Sequence, residues 1–335
     1  NDYLQGGGDL RKLLKGNLNE QNKFLKHIIK GKDLHDEFLS TLNQSWAIKD
    51  ILPERSGLIV IYGKPGTYKS FLALDMAASM AAGISWQEKV TKQKRVLYFA
   101  AEGQHGVLKR LEAWRQHHGV HTLEDLDLMP LGCILDDPQD VVMLLEALQQ
   151  VDKLPEIVFM DTLARSMTGD ENAKVDMGRV IEASDAIRRE IGAQIILVHH
   201  AGKDEARGLR GSGSLEGATD TILKTEIIEE KKVVLITERQ KDDEPAQEMV
   251  FDMVVVDTGF ENIDGDAVKS LVPVFDPDES NNKRSGKAKG NNLSGAARIA
   301  MKAFEAALDE YGIPPTPEQL EVMGEDIISR NRKVV

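Results

Sequence analysis

The sequence predicts an α/β fold organised around a mostly parallel sheet, and three observations carry that prediction. Between Leu58 and about Val256, short apolar runs alternate with helical stretches. The runs LIVIY, RVLYFAAE, EIVFMDT and QIILVHH are apolar almost throughout, as strands covered on both faces must be. The later runs TILKTEII, KKVVLITERQ and AQEMVFDMVVVD follow one another across charged turns with no long helix between them, which predicts an antiparallel extension of the sheet.

Taken in order, residues 1–45 are polar with apolar positions at helical spacing (Leu13, Leu18, Phe24, Leu25, Ile28, Ile29) and read as a helical N-terminal arm. The α/β domain is expected over residues 46–275. Its first strand, LIVIY, leads through the glycine-rich turn GKPGTYKS into the apolar helix FLALDMAASMAA. Strand RVLYFAAE, the helical stretches GVLKRLEAWRQHH and VVMLLEALQQV, and strand EIVFMDT follow. The next helix, DMGRVIEASDAIRREIG, sets Met177, Val180, Ile181, Ser184, Ile187 and Ile191 on one stripe and has Gly192 as its stop. Residues 276–292 read as a linker, and residues 293–335 as a C-terminal helical element with Ser294 as an N-cap and a fresh start at Thr316.

A chain of 335 residues, 41% apolar and 29% charged, buries a sizeable core. No window holds the ~18 uncharged apolar residues of a membrane span, and the first 30 residues are too polar for a signal peptide, so the expectation is a cytoplasmic protein. The single Cys133 excludes an internal disulfide and a cysteine-built metal site. A net charge of −13 argues against coating nucleic acid with the outer surface, although a narrow basic channel is compatible with it. The basic run NNKRSGKAKGNN at 281–292 reads as a solvated linker, with a nucleic-acid contact as the alternative.

The octet GKPGTYKS nearly matches a phosphate-binding loop, G-x-x-x-x-G-K-[ST], with Tyr68 where the second glycine belongs. Backbone N–H groups of such a turn surround a β-phosphate, Lys69 reaches the β- and γ-phosphates, and the Ser70 hydroxyl helps hold Mg²⁺. Gly63 and Gly66 supply the close approach and unusual backbone angles. Tyr68 carries a cost only if its position needs positive φ or lacks room. On the octet alone, a β-turn before an ordinary helix stays open. Asp161 at the end of EIVFMDT and Glu102 at the end of RVLYFAAE add two acids at the C-terminal edges of parallel strands, where such sheets bind ligands. Asp161 suits a metal-holding acid, and Glu102 suits a carboxylate acting on an attacking water. QIILVHH ends in His199 and His200, and no further His or Cys stands at zinc-ligand spacing.

Together these segments resemble the RecA-fold P-loop ATPases, within them the hexameric replicative helicases of the DnaB and RepA type. Residues 56 to about 257 carry the resemblance, in GKPGTYKSFLALDMA, FAAEG, FMDTLARSMTGDENAKVDMG, LVHHAGKDEARGLRGSGSLEGATD and ITERQKD. RepA-like loops often have a bulky residue before Lys-Ser, so Tyr68 reads as a family variant. The resemblance implies a RecA-like core binding ATP through Gly63, Lys64, Pro65, Gly66, Thr67, Tyr68, Lys69, Ser70 and Phe71, with Mg²⁺ on Ser70 and Asp161. It implies Glu102 as catalytic base, His200 as γ-phosphate sensor, and Lys203, Arg207 and Arg210 in or beside a DNA-binding loop. Arg239 and Lys241 resemble cations offered in trans to a neighbour's ATP, and Arg207 is a further candidate for that role. Implied partners are single-stranded DNA and other copies in a ring, expected to be a hexamer. Primase and other replication proteins are a weaker implication, because no large N-terminal helical domain precedes the core. The competing readings are an ATP-dependent DNA-binding switch that does not unwind and a small-molecule kinase.

Overall fold

A computed structural model describes residues 30–41, 46–54, 57–101, 103–201, 213–241 and 243–280. Two compact units divide at Asp276, and of the second, Pro277–Val335, residues 277–280 are described, as a helical turn. The expected apolar positions from Leu13 to Ile29, the expected linker from residue 281 on and the helical starts at Ser294 and Thr316 lie outside the described residues, while the linker's first residues, 277–280, form that helical turn. Among the described residues no helix is long and apolar enough to cross a membrane.

The described part of the first unit begins with a 3-10 turn (Gly31–Asp33), helix α1 (Leu34–Thr41) and a small antiparallel pair, β1 (Trp46–Ile48) with β2 (Leu52–Pro53). Its main sheet begins with β3 (Leu58–Gly63), buried at every position. The chain then runs through α2 (Lys69–Ala82), β4 (Val96–Ala100), α3 (Gln104–His118), β5 (Leu126–Met129), α4 (Pro138–Leu148), β6 (Ile157–Asp161), α5 (Lys174–Ile191) and β7 (Gln194–His200). A short helix α6 (Gly213–Ala218) leads into β8 (Thr219–Glu229), β9 (Lys232–Gln240), β10 (Met249–Glu261) and β11 (Ala267–Phe275). The nine strands are ordered β11-β10-β9-β8-β3-β7-β6-β4-β5.

The expected class, a mostly parallel α/β sheet continued by antiparallel strands, is the one observed, with a correction at the join. TILKTEII was expected to begin the antiparallel part, but β8 pairs parallel with β3 and antiparallel only with β9. A crossover through α6 returns the chain to the starting edge, so the parallel region gains one strand beyond β3. The expectation also missed β1, β2, β5 and β11. In β11 a proline, Pro273, and a half-buried pattern hide the strand from a search for apolar runs.

Side chains alternate along the strands and feed two cores. Ile59 and Ile61 pack with α2 and α3 on one face, while Val60 and Tyr62 pack with α4 and α5 on the other. Helix α2 is apolar on nearly all sides because it lies between the sheet and its neighbours. Helix α5 is amphipathic, with Met177, Val180, Ser184 and Ile187 of the expected stripe buried, and it ends where Gly192, at φ 72°, donates its N–H to the Arg188 carbonyl.

Candidate functional site

The phosphate-type loop spans the gap between the end of β3 and the start of α2 at the C-terminal edge of the parallel strands. A Cβ on Gly63 would lie 2.4 Å from Thr225 Oγ1 and 2.5 Å from the Thr225 carbonyl, so only glycine lets β8 come this close. Gly66 has φ 81°, a conformation glycine adopts without strain. Tyr68 has φ 58° and ψ 21°, the left-handed region. The position therefore does require positive φ, and tyrosine there is strained by about 1–2 kcal/mol. Offsetting this, the Tyr68 ring meets Phe71 edge-on at 5.8 Å and packs against the core below. The Tyr68 carbonyl accepts the N–H groups of Phe71 and Leu72, so the strained residue is also the first acceptor of α2.

Lys69 is buried, and its ammonium donates to the Lys64 carbonyl at 2.7 Å, closing the loop on itself. Thr67 Oγ1 donates to the same carbonyl and lies 2.7 Å from Thr225 Oγ1, which ties the loop to β8. Ser70 Oγ donates to Asp161 Oδ1 at 3.0 Å, so two residues 91 apart in sequence meet at the loop. Asp161 is itself buried, and its other oxygen accepts the Tyr98 hydroxyl at 2.7 Å. Burial, reinforced by the Asp161 carboxylate beside it, pushes the Tyr98 phenol well above its ordinary value, so it remains a donor at all physiological pH. Sequence reasoning missed Tyr98. Its signal was a hydroxyl-bearing residue inside an otherwise apolar run.

His199 and His200 go to opposite sides of β7, as consecutive strand residues do. His199 is fully buried, whereas His200 pairs with Gly63 and lines a cleft of about 390 Å³ together with Pro65, Tyr68, Lys69 and Ser70. Arg110 of α3 lines the same cleft, its guanidinium 4.2 Å from the centre of the Phe71 ring. It too was missed, although it interrupts the buried stripe Val107, Leu111 and Trp114 with a cation. Glu102, Lys203, Arg207 and Arg210 lie outside the described residues, between Ala101 and Gly103 and after Ala201 respectively. A second cleft of about 340 Å³ shares Lys64 and Pro65 with the loop's other side and is walled by Tyr62 and by Lys224–Ile227 of β8.

Arg239 and Lys241 stand away from this loop. In register, Arg239 faces Ile222, which faces Val60, so Arg239 is two strands across and three residues below Gly63, about 10 Å in each direction. Lys241 lies lower still, at the N-terminal edge, bonded to Asp220 at 3.0 Å.

Beneath the site, Asp75 of α2 is buried and accepts Trp114 Nε1 at 2.6 Å, Trp86 Nε1 at 2.7 Å and Gln87 Nε2 at 2.8 Å. Burial pushes its carboxyl up to about 6 despite these donors. Gln87 also bonds the Pro273 carbonyl and the Phe275 N–H, so this cluster joins α2, α3 and β11. His118 lies 3.9 Å from Asp75 and is pushed down to about 4 by burial and then by His117.

No curated protein matches the chain. Among solved structures, the chain is similar to the crystal structure of the RadB recombinase, at 17% identity and a TM-score of 0.43 over 59% of this chain and 87% of that one. It is also similar to a DnaB-like replicative helicase whose structure was described with its interactions with primase, at 14% identity and a TM-score of 0.47 over 73% of this chain and 72% of that one. At these values neither likeness assigns a role to any residue. The family model of the AAA domain matches residues 32–206, more than half of the chain. The phosphate-type loop, Asp161 and His200 all fall within that span, and the chain belongs to the AAA domain family.

Proposed function

We propose that this chain is an ATP-hydrolysing motor that assembles as a ring, expected to be a hexamer, and moves along single-stranded DNA to part the duplex. The observation that carries the nucleotide site is the Ser70–Asp161 bond beside the buried Lys69 ammonium. A hydroxyl and a carboxylate 3.0 Å apart are hard oxygen donors of the kind Mg²⁺ takes, and the N–H groups opening α2 suit phosphate.

Mg²⁺, when bound, would supply neutralisation of charge on the phosphate oxygens. Ser70 and Asp161 would hold it, with Tyr98 fixing the carboxylate. Lys69 would exchange the Lys64 carbonyl for phosphate oxygens, Glu102 would take the proton of the attacking water, and His200 would sense the γ-phosphate from the end of β7. Because Asp161 stands on the β6 side of the loop, the nucleoside would leave on the opposite side, across Pro65 toward the cleft walled by β8. Arg239 and Lys241, too far from their own loop, would serve the site of a neighbouring copy. Lys203, Arg207 and Arg210 would meet the DNA strand, and a few cations per subunit suffice at a net charge of −13. A primase or another replication protein is the further partner class this reading admits, in the cytoplasm.

Lys69→Ala is expected to abolish ATP-driven opening of a forked duplex, and Glu102→Gln to keep nucleotide binding while hydrolysis collapses. Unwinding that survives Lys69→Ala sinks the motor. Hydrolysis stimulated by single-stranded DNA without strand separation makes the wild-type protein a nucleotide-dependent DNA-binding switch instead.

A further inference from the structure

We propose that Asp220 and the end of α6 form a clamp that sets Arg239 and Lys241 in position for a neighbouring copy of the chain. Asp220 is thereby a positioning residue for hydrolysis in that neighbour. The inference rests on the trans reading of the two cations given above.

Both cations are held by one short segment. Arg239 Nη1 donates to the Glu216 carbonyl at 2.8 Å, and Lys241 Nζ donates to Asp220 Oδ1 at 3.0 Å. The Lys241 backbone N–H donates to the Asp220 carbonyl, also at 3.0 Å. Asp220 Oδ2 accepts the Gly57 N–H at 2.6 Å, so the carboxylate is fixed from the β3 side while it holds the ammonium from the other. A Cβ at Gly57 would lie 2.6 Å from Asp220 Oδ2 and 2.9 Å from Arg188 Nη1, so those side-chain ends would have to shift to admit any other residue. Between the two acceptors, Thr219 is fully buried and its hydroxyl donates to the Leu215 carbonyl at 2.6 Å, which stiffens the junction.

The geometry fits presentation better than it fits stabilisation. The Lys241 side chain is 55% exposed against 21% for Asp220, and an exposed lysine–carboxylate pair adds little to folding. The pair does remove the freedom of a four-carbon stem. Arg239 and Lys241 are two residues apart on a strand and its extension, so they project to the same side. A cation already fixed in direction loses less freedom when it meets a phosphate on another subunit.

The test uses mixed assemblies of the 335-residue chain. Glu102→Gln subunits, themselves silent, are mixed into wild type in increasing proportion and the ATPase rate is followed. Three silent forms are compared: E102Q alone, E102Q with D220N, and E102Q with R239A and K241A. Asparagine keeps an acceptor for the Gly57 N–H but removes the charge that holds Lys241. The clamp is supported if the D220N form depresses wild-type activity more steeply than E102Q alone, approaching the form that lacks both cations. In the unmixed D220N protein, kcat should then fall by about tenfold or more while KM for ATP is unchanged, because its own phosphate loop is intact. If the D220N form behaves as E102Q alone while loss of both cations poisons the mixture, the clamp is refuted and the trans reading stands. If all three forms behave alike, the trans reading fails and the clamp with it.

Discussion

Tyr68 shows how one residue can break a motif's rule and keep its geometry. Its φ of 58° is the conformation the missing glycine would have supplied, and its ring regains part of the cost through Phe71. Tyr68→Gly is therefore expected to change stability by less than about 1 kcal/mol in chemical denaturation, since relief of strain and loss of packing oppose each other. Gly63→Ala is a different case. Its Cβ would meet the Thr225 backbone, so β3 and β8 must separate, and nucleotide binding measured by calorimetry should be lost along with roughly 2 kcal/mol or more of stability. Tyr98→Phe removes the donor to Asp161 Oδ2 without changing shape, and the Mg²⁺ concentration for half-maximal ATPase should rise several-fold. An unchanged Mg²⁺ requirement would mean that Tyr98 only fills the core.

At the scale of elements, the Asp75 cluster makes the packing of α2, α3 and β11 sensitive to pH. Asp75 titrates near 6 in the folded protein against an ordinary value of 3.8, so its favourable contribution is complete below about pH 4 and is lost as pH rises through 6. His118 works in the opposite direction. Its folded value near 4 lies below the ordinary 6.5, so its contribution is present above pH 6.5 and is lost as pH falls through 4. His118→Gln should therefore gain stability relative to wild type on going from pH 6.5 to 4, measured by urea midpoints at several pH values. A constant difference across that range would show that His118 takes up its proton in the folded protein as readily as in the unfolded chain.

For the whole molecule, under the proposed function, the charge balance would govern how DNA is held. With a net charge of −13, only a local set of cations can meet the phosphates, so binding to single-stranded DNA should weaken with salt on a shallow slope, worth only a few phosphate contacts per subunit. Anisotropy titrations across a salt series would measure this, and a slope worth about ten contacts per subunit would place DNA on a broad outer surface instead. Much of the architecture was legible because strands buried on both faces announce themselves as apolar runs, and because each run ended in its chemistry: Ser70 just past the loop, Asp161 and His200. What stayed hidden has a common physical cause. Tyr98, Arg110 and Asp75 act through contacts with residues far along the chain, and periodicity records only which face a residue occupies. β11 was lost for a similar reason, since its pairing with β10 and with Gln87 leaves no mark in its own composition.

Strand β8 carries the Thr225 hydroxyl bond to the phosphate-type loop near one end and the Asp220 grip on Lys241 near the other. Five residue steps of extended chain, about 17 Å, separate them with no loop between. Under the proposed assembly this strand is a tie rod. A displacement at a subunit's own phosphate-type loop would then have a single strand to travel along before it met the cations proposed to reach into the next subunit.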